Sequence, residues 1–186
     1  MKNLEVRDMP PLEKQPFSEV LAGSQISLRR PGPADAQQVW EYIQRDHDLG
    51  GVNYAWVESV EDVEKHITKK SSPEAKTVDY LIVKDGIAIG SFHVHTISYS
   101  DYKAEIGYGI EKREEGHGYV SEALHAVLGE LKRLGFNKAI INCDRENKRS
   151  VQVAERNGFL REGLLIQDCI ENGRFRDSLI FGRLLR

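Results

Sequence analysis

Between Tyr80 and Leu134 the apolar pattern changes period once, and that change limits the folds open to the chain. Tyr80-Leu81-Ile82-Val83 reads as a buried strand, Asp85-Gly86 as a hairpin turn, and Ala88 to Ile97 as the returning strand. Ala104 to Ile110 makes a third strand, so the three form an antiparallel meander. From about Gly118 to Leu134 the spacing becomes helical, with Val120, Leu124, Val127, Leu128 and Leu131 on one face and Gly135 as a C-terminal stop. A meander feeding a long amphipathic helix through a glycine-containing turn requires a sheet with a helix laid on it.

The flanking segments extend this pattern. Ile26-Ser27-Leu28-Arg29 alternates as a half-buried strand and ends at Pro31-Gly32-Pro33. Asp35 opens a helix carrying Val39, Trp40 and Ile43, and a second helix spans about Val60 to Lys70. Residues 47–57 read as a loop with Gly50-Gly51 and the aromatics Tyr54 and Trp56. Lys138 to Cys143 is an apolar strand, and Asn147 to Asn157 is a helix stopped by Gly158. Two last strands, about 161–170 and 174–184, turn at Asn172-Gly173. The order β-α-α-β-β-β-α-β-α-β-β is a mixed α/β sheet of about seven strands with four helices, in one domain over 25–186 behind an N-terminal arm, 1–24.

Composition narrows the function classes. Of 186 residues, 40% are hydrophobic and 30% charged, with a net charge of -3. That balance gives no reason to expect nucleic-acid or anionic-membrane binding. There is no run of about 18 apolar residues for a membrane span and no apolar stretch near the start for a signal peptide, so a cytoplasmic location is expected. Cys143 and Cys169 read as two buried free thiols. His93 and His95 alternate on one strand face, but no third ligand accompanies them, so ordinary strand histidines and no metal are expected.

The chemistry-bearing segment is Arg113-Glu114-Glu115-Gly116-His117-Gly118, between a strand and a helix start. A helix start presents unpaired N–H groups and partial positive charge, and glycines let a phosphate approach them. Arg113 adds a fork of charged donors. Glu114 and Glu115 must point away for an anion to bind there.

Arg-x-x-Gly-x-Gly at 113–118, after Gly107-Tyr108-Gly109-Ile110, resembles the acetyl-CoA loop of the GNAT acetyltransferase superfamily. Tyr119-Val120-Ser121-Glu122-Ala123, Asn147-Lys148-Arg149-Ser150 and Ala154-Glu155-Arg156-Asn157-Gly158-Phe159 resemble its RimJ/RimL-type ribosomal-protein N-acetyltransferases. The Trp40 and Trp56 segments and Asn172-Gly173-Arg174…Asp177…Leu184 do so too, and the resemblance covers roughly 24–186.

It implies a GNAT fold with splayed strands at the acetyl-CoA site, acetyl-CoA as donor and no metal. The backbone of Tyr108, Gly109 and Ile110 would pair with the pantetheine arm and offer an oxyanion donor. Arg113, Gly116, His117, Gly118, Tyr119 and Val120 would bind the pyrophosphate, and Asn147 would bond the cosubstrate from the second helix. Many members place a tyrosine seven residues after that asparagine to protonate the thiolate; here the position is Ala154, and Ser150 becomes the candidate near the sulfur. Glu105 is the candidate base or water organiser, with Asp168 as a second, and Tyr54 and Trp56 would line the acceptor entrance. The acceptor implied is a primary amine: a ribosomal-protein N-terminus first, a polyamine or antibiotic-like amine as the alternative. A CoA-binding module without turnover is the third reading. A sheet edge or the terminal strands are the candidate faces for a homodimer.

Overall fold

A computed structural model of the chain describes residues 10–45, 57–70, 77–171 and 173–185. Eight strands form one sheet: β1 (Val20–Ala22), β2 (Ser27–Arg29), β3 (Val78–Lys84), β4 (Ile87–Ser98), β5 (Lys103–Ile110), β6 (Lys138–Asp144), β7 (Leu160–Glu171) and β8 (Arg174–Leu184). Their order in space is β1-β2-β3-β4-β5-β6-β8-β7. The helices are α1 (Ala36–Arg45), α2 (Val60–Lys70), α3 (Tyr119–Arg133) and α4 (Lys148–Arg156). Every neighbouring pair is antiparallel except β5 and β6. A parallel pair needs a long crossover, and α3 supplies it.

Strand alternation divides the core between the two faces of the sheet. Tyr80, Ile82, Phe92, Val94 and Ile106 pack with Leu124, Val127, Leu128 and Leu131 of α3 and Ala154 of α4. Leu81 and Val83, alternating with Tyr80 and Ile82, pack on the other face with Val39 and Ile43 of α1 and Val63 and Ile67 of α2. The apolar stripe of α3 is therefore fully used, each buried leucine contributing about 1.5–3 kcal/mol. The helix ends in a left-handed turn: Gly135 has φ +86°, its N–H reaches the Lys132 carbonyl at 3.0 Å, and that of Phe136 reaches Leu131 at 3.0 Å.

Two expectations change. The sheet has eight strands rather than about seven, because Val20–Ala22 pairs with β2. A three-residue edge strand carries no readable period; it forms because its partner exists. The chain turns back at Gly23, whose N–H bonds Ile26 O at 2.9 Å, and Glu122 of α3 accepts the Gln25 N–H at 2.8 Å. Cys169, expected to be buried, is exposed, while Cys143 is half-buried; Cys169 lies on the outermost strand, which no layer covers.

Residues 10–18 lie against the domain. Phe17 is buried in the main core, the Leu12 N–H bonds Tyr99 O at 3.0 Å, and the Ser18 N–H bonds Glu130 at 2.7 Å. The Tyr80 hydroxyl donates to Ser18 O at 2.8 Å.

The sheet opens in its middle. β5 and β6 pair only from Lys103 to Glu105 against Lys138 to Ile140. Beyond that, β6 stays with β8 as far as Asp144 while β5 stays with β4 as far as Ile110. The wedge between Ile106–Ile110 and Ile141–Asp144 leads toward the start of α3.

Candidate active site

The wedge has a backbone wall and a side-chain wall. The Glu111 N–H bonds Ile89 O at 2.9 Å, which turns the odd-numbered peptides of β5 toward β4. By alternation the N–H groups of Tyr108 and Ile110 face the wedge, beyond the last β5–β6 pair at Glu105 and Ile140. Of the three residues expected to present their backbone, Tyr108 and Ile110 do so, while Gly109 is directed to its register partner Ser91.

At the mouth of the wedge, Gly116 has φ +79° and Gly118 φ +85°, and no atom lies within 4 Å of where a β-carbon would stand on either. Only glycine holds that backbone without strain, and the space it leaves admits a phosphate beside the first N–H groups of α3. Gly118 is the N-cap of α3, with Tyr119 and Val120 in its first turn. The two glutamates are neutralised by neighbours: Glu114 pairs with Lys84 at 3.3 Å and Glu115 pairs with Arg149. The Lys84 ammonium also lies 5.0 Å from the Tyr119 ring centre. His117 stacks on Tyr119, ring centres 5.4 Å apart, with Nδ1 3.2 Å from Glu114 O.

Arg113 is anchored rather than loose. Its Nε is 2.5 Å from Glu111, a carboxylate only 1% exposed, which Arg45 at the end of α1 also grips at 2.7 Å. One buried charge thus ties α1 to the glycine loop.

Halfway along the wedge, Ser150 sits in the first turn of α4. Asn147 caps that helix, its side-chain oxygen accepting the Ser150 N–H at 3.0 Å. Ser150 Oγ is 3.0 Å from the Tyr108 hydroxyl. Tyr108 stacks on Phe92 at 5.8 Å, and burial pushes its phenol up to about 12, so it keeps its proton at neutral pH. Burial also raises the Cys143 thiol, against a hydrogen bond from Ser150 that lowers it. The sequence points to Tyr108 for its backbone alone. Its side chain alternates away from Gly107 and Gly109, which turns it toward α4, and that signal was legible in the strand pattern. Ala154 is fully buried in the core, so a tyrosine there would have no room.

Glu105 is on the opposite face, the last residue of β5 paired with β6, and is in register with His95. It is not beside Ser150. His93 is held as an ordinary strand histidine, with Nδ1 2.8 Å from Asp79 and Nε2 3.1 Å from Ser91 Oγ. Among the described residues, no group of three or more His, Cys, Asp or Glu is arranged to hold a metal ion. Asp168 is exposed on β7, separated from the wedge by β8 and β6. Tyr54 and Trp56 lie outside the described residues.

The profile of the acetyltransferase (GNAT) domain matches residues 25–160. The ribosomal-protein-serine acetyltransferase of Escherichia coli (strain K12) is 34% identical over 107 residues, a match that spans 57% of this chain and only 60% of that protein. The putative ribosomal N-acetyltransferase YdaF of Bacillus subtilis (strain 168) is 26% identical over 168 residues, 87% of this chain and 92% of that one. A solved structure of RimL, a ribosomal L7/L12 alpha-N-protein acetyltransferase in complex with coenzyme A, superposes with a TM-score of 0.84 over 89% of this chain and 98% of its own, at 24% identity. The wedge, the glycine loop and the profile over 25–160 agree: this chain belongs to the GNAT acetyltransferase family.

Proposed function

We propose that this acetyltransferase moves the acetyl group of acetyl-CoA to the α-amine of a protein N-terminus, of the ribosomal-protein kind, in the cytoplasm. The observation that carries the reading is the continuity of the wedge. It begins where β5 leaves β6, passes the Ser150–Tyr108 pair, and ends on the open N–H groups at Gly116–Gly118. A thioester on an extended arm that ends in a pyrophosphate has this order of groups.

Acetyl-CoA supplies the activated acyl group; the chain supplies position and proton traffic. The loop from Gly116 to Val120 receives the pyrophosphate, with Arg113 beside it. The N–H of Tyr108 or Ile110 steadies the oxyanion. The Ser150–Tyr108 pair hands a proton to the departing thiolate. Glu105 lies on the face opposite Ser150, the side this reading gives to the acceptor. An α-amine has a pKa near ~8 against ~10.4 for lysine, so a useful fraction is neutral at physiological pH and a modest base suffices. The names of the two relatives above support a ribosomal-protein acceptor.

The test is CoA release with three sets of amines: ribosomal-protein N-terminal peptides beginning with serine or alanine, polyamines, and amine antibiotics. Peptide turnover is expected. Turnover of a small amine alone would replace the acceptor. Absence of any acetyl-CoA-induced rise in unfolding temperature would reject the donor.

A further inference from the structure

The sheet face opposite Ser150 carries polar side chains that the steps above leave unused. Asp79 of β3, Ser91, His93 and His95 of β4 and Glu105 of β5 alternate with the core residues Tyr80, Phe92, Val94 and Ile106. Polar groups on an inward strand face are costly unless they are paired or employed. Asp79, His93 and Ser91 are paired with one another.

His95 is placed differently. Its Nδ1 is 3.1 Å from Thr96 Oγ1. Its ring leans across to β5, with Nε2 3.4 Å from where a β-carbon on Gly107 would stand. Because residue 107 is glycine, the imidazole rests directly above the strand, at the point where the wedge begins. Its register partner Glu105 is the last β5 residue still paired to β6.

The direction of attack follows from the same alternation. On the α3–α4 face the wedge is filled by Tyr108, stacked on Phe92 and bonded to Ser150. On the other face Gly107 and Gly109 present no side chains. An amine that reaches an acyl carbon held at the Tyr108 and Ile110 N–H groups arrives over those glycines, beside His95.

We propose that His95 is the catalytic base, its Nε2 taking the proton from the acceptor nitrogen while Glu105 steadies the imidazolium that results. This rests on the acetyl-transfer reading above and narrows the role of Glu105 to positioning. The amine lone pair forms the C–N bond; the C–S bond breaks and its electron pair leaves on the CoA sulfur. The nitrogen's proton passes to His95 Nε2 and then to water. The sulfur takes a proton from the Ser150–Tyr108 pair, which regains one from solvent. The charges around the ring suit this. Burial holds His95 below the ordinary histidine range, Glu105 and Asp79 pull it up, and His93 and Lys70 push it down. His66 of α2 faces Asp79 and His93 from the same side. The ring is neutral at pH 7 and gains a proton only when the reaction offers one.

The experiment compares His95→Ala, His95→Gln and Glu105→Gln with the unmodified protein in CoA release against the acceptor panel. Both His95 variants are expected to lose about 100-fold in kcat and to keep the acetyl-CoA-induced rise in unfolding temperature, which shows that they fold and bind. Added imidazole is expected to restore part of the His95→Ala rate. A kcat within about threefold of the unmodified protein in both His95 variants overturns the proposal. A second arm needs no acceptor. NMR titration of the imidazoles, with His95 assigned by its loss in His95→Gln, is expected to place it below the ordinary value of about 6.5, and lower still in Glu105→Gln. A His95 ring that is charged at pH 7 in the acetyl-CoA complex overturns the proposal as well. If no amine of the panel is turned over, the acceptor reading fails, and a His95 ring charged at pH 7 still overturns the proposal.

Discussion

Gly118→Ala separates the conformational demand of the glycine loop from its ligand chemistry. Gly118 stands at φ +85° and ψ 0° as the N-cap of α3, and nothing lies within 4 Å of its missing β-carbon. The added methyl therefore meets no atom, and the cost is backbone strain alone, about 1–2 kcal/mol for an L-residue in the left-handed region. If the loop keeps its shape, the strain lowers the unfolding temperature by about 2–8 °C, at ~2–4 °C per kcal/mol for a domain of this size. If the loop relaxes toward negative φ, stability is spared but the first N–H groups of α3 turn away from the wedge. Losing one charge-assisted bond worth about 1.5–3 kcal/mol then weakens acetyl-CoA binding roughly tenfold or more. Thermal unfolding of both proteins, with and without saturating acetyl-CoA, reads the two contributions in one experiment. A variant that melts within about 1 °C of the parent and keeps the full acetyl-CoA shift would show that neither the strain nor the loop amides matter.

Two more outcomes follow from the structure. Tyr108→Phe and Ser150→Ala each remove one hydroxyl of a 3.0 Å pair. Each is expected to lower kcat at least tenfold with little change in acetyl-CoA affinity, and the double variant no further than the worse single one, as for groups acting as a unit; additive losses in steady-state kinetics would break the pair into independent residues. Glu130 joins α3 to the N-terminal arm, and its hydrogen bond with Arg133 holds its carboxyl down at about 2, with the Ser18 N–H assisting against burial. A folded-state value below the unfolded one means that its stabilisation is complete above the ordinary carboxylate value of about 4.3 and is lost as pH falls from there toward 2. Glu130→Gln is expected to cost about 1.5–3 kcal/mol at pH 7 and to flatten the loss of stability on acidification, measured by urea unfolding at pH 7 and pH 3; an unchanged acid dependence would place that loss elsewhere.

Much of the fold was legible because it is written in local terms. The helical period over 118–134 became α3 at Tyr119–Arg133, and Val60 to Lys70 is α2. Arg113, Gly116 and Gly118 lie where a strand gives way to a helix. What stayed hidden involved partners far apart in sequence. Val20–Ala22 becomes a strand only beside β2, and Phe17 becomes core only when Phe136 and the rest of the main cluster come together around it. His93 and His95 look alike in sequence. Asp79 takes the ring of the first, whereas the second lies over Gly107.

The glycine loop shows where the two kinds of information part. Its backbone shape belongs to the sequence, because a left-handed φ is a property of residues 116 and 118 and of no neighbour. Whether its two glutamates repel an anion was decided by tertiary structure, through Lys84 arriving from β3 and Arg149 from α4. The contact proposed as proton donor was decided the same way, when the divergence of β5 from β6 brought Tyr108 to Ser150 across 42 residues of chain. Period, alternation and turn conformation are set within a few bonds, so a sequence displays them. Charge pairing and proton relays depend on side chains meeting through space, and only the packed sheet and helices bring them together.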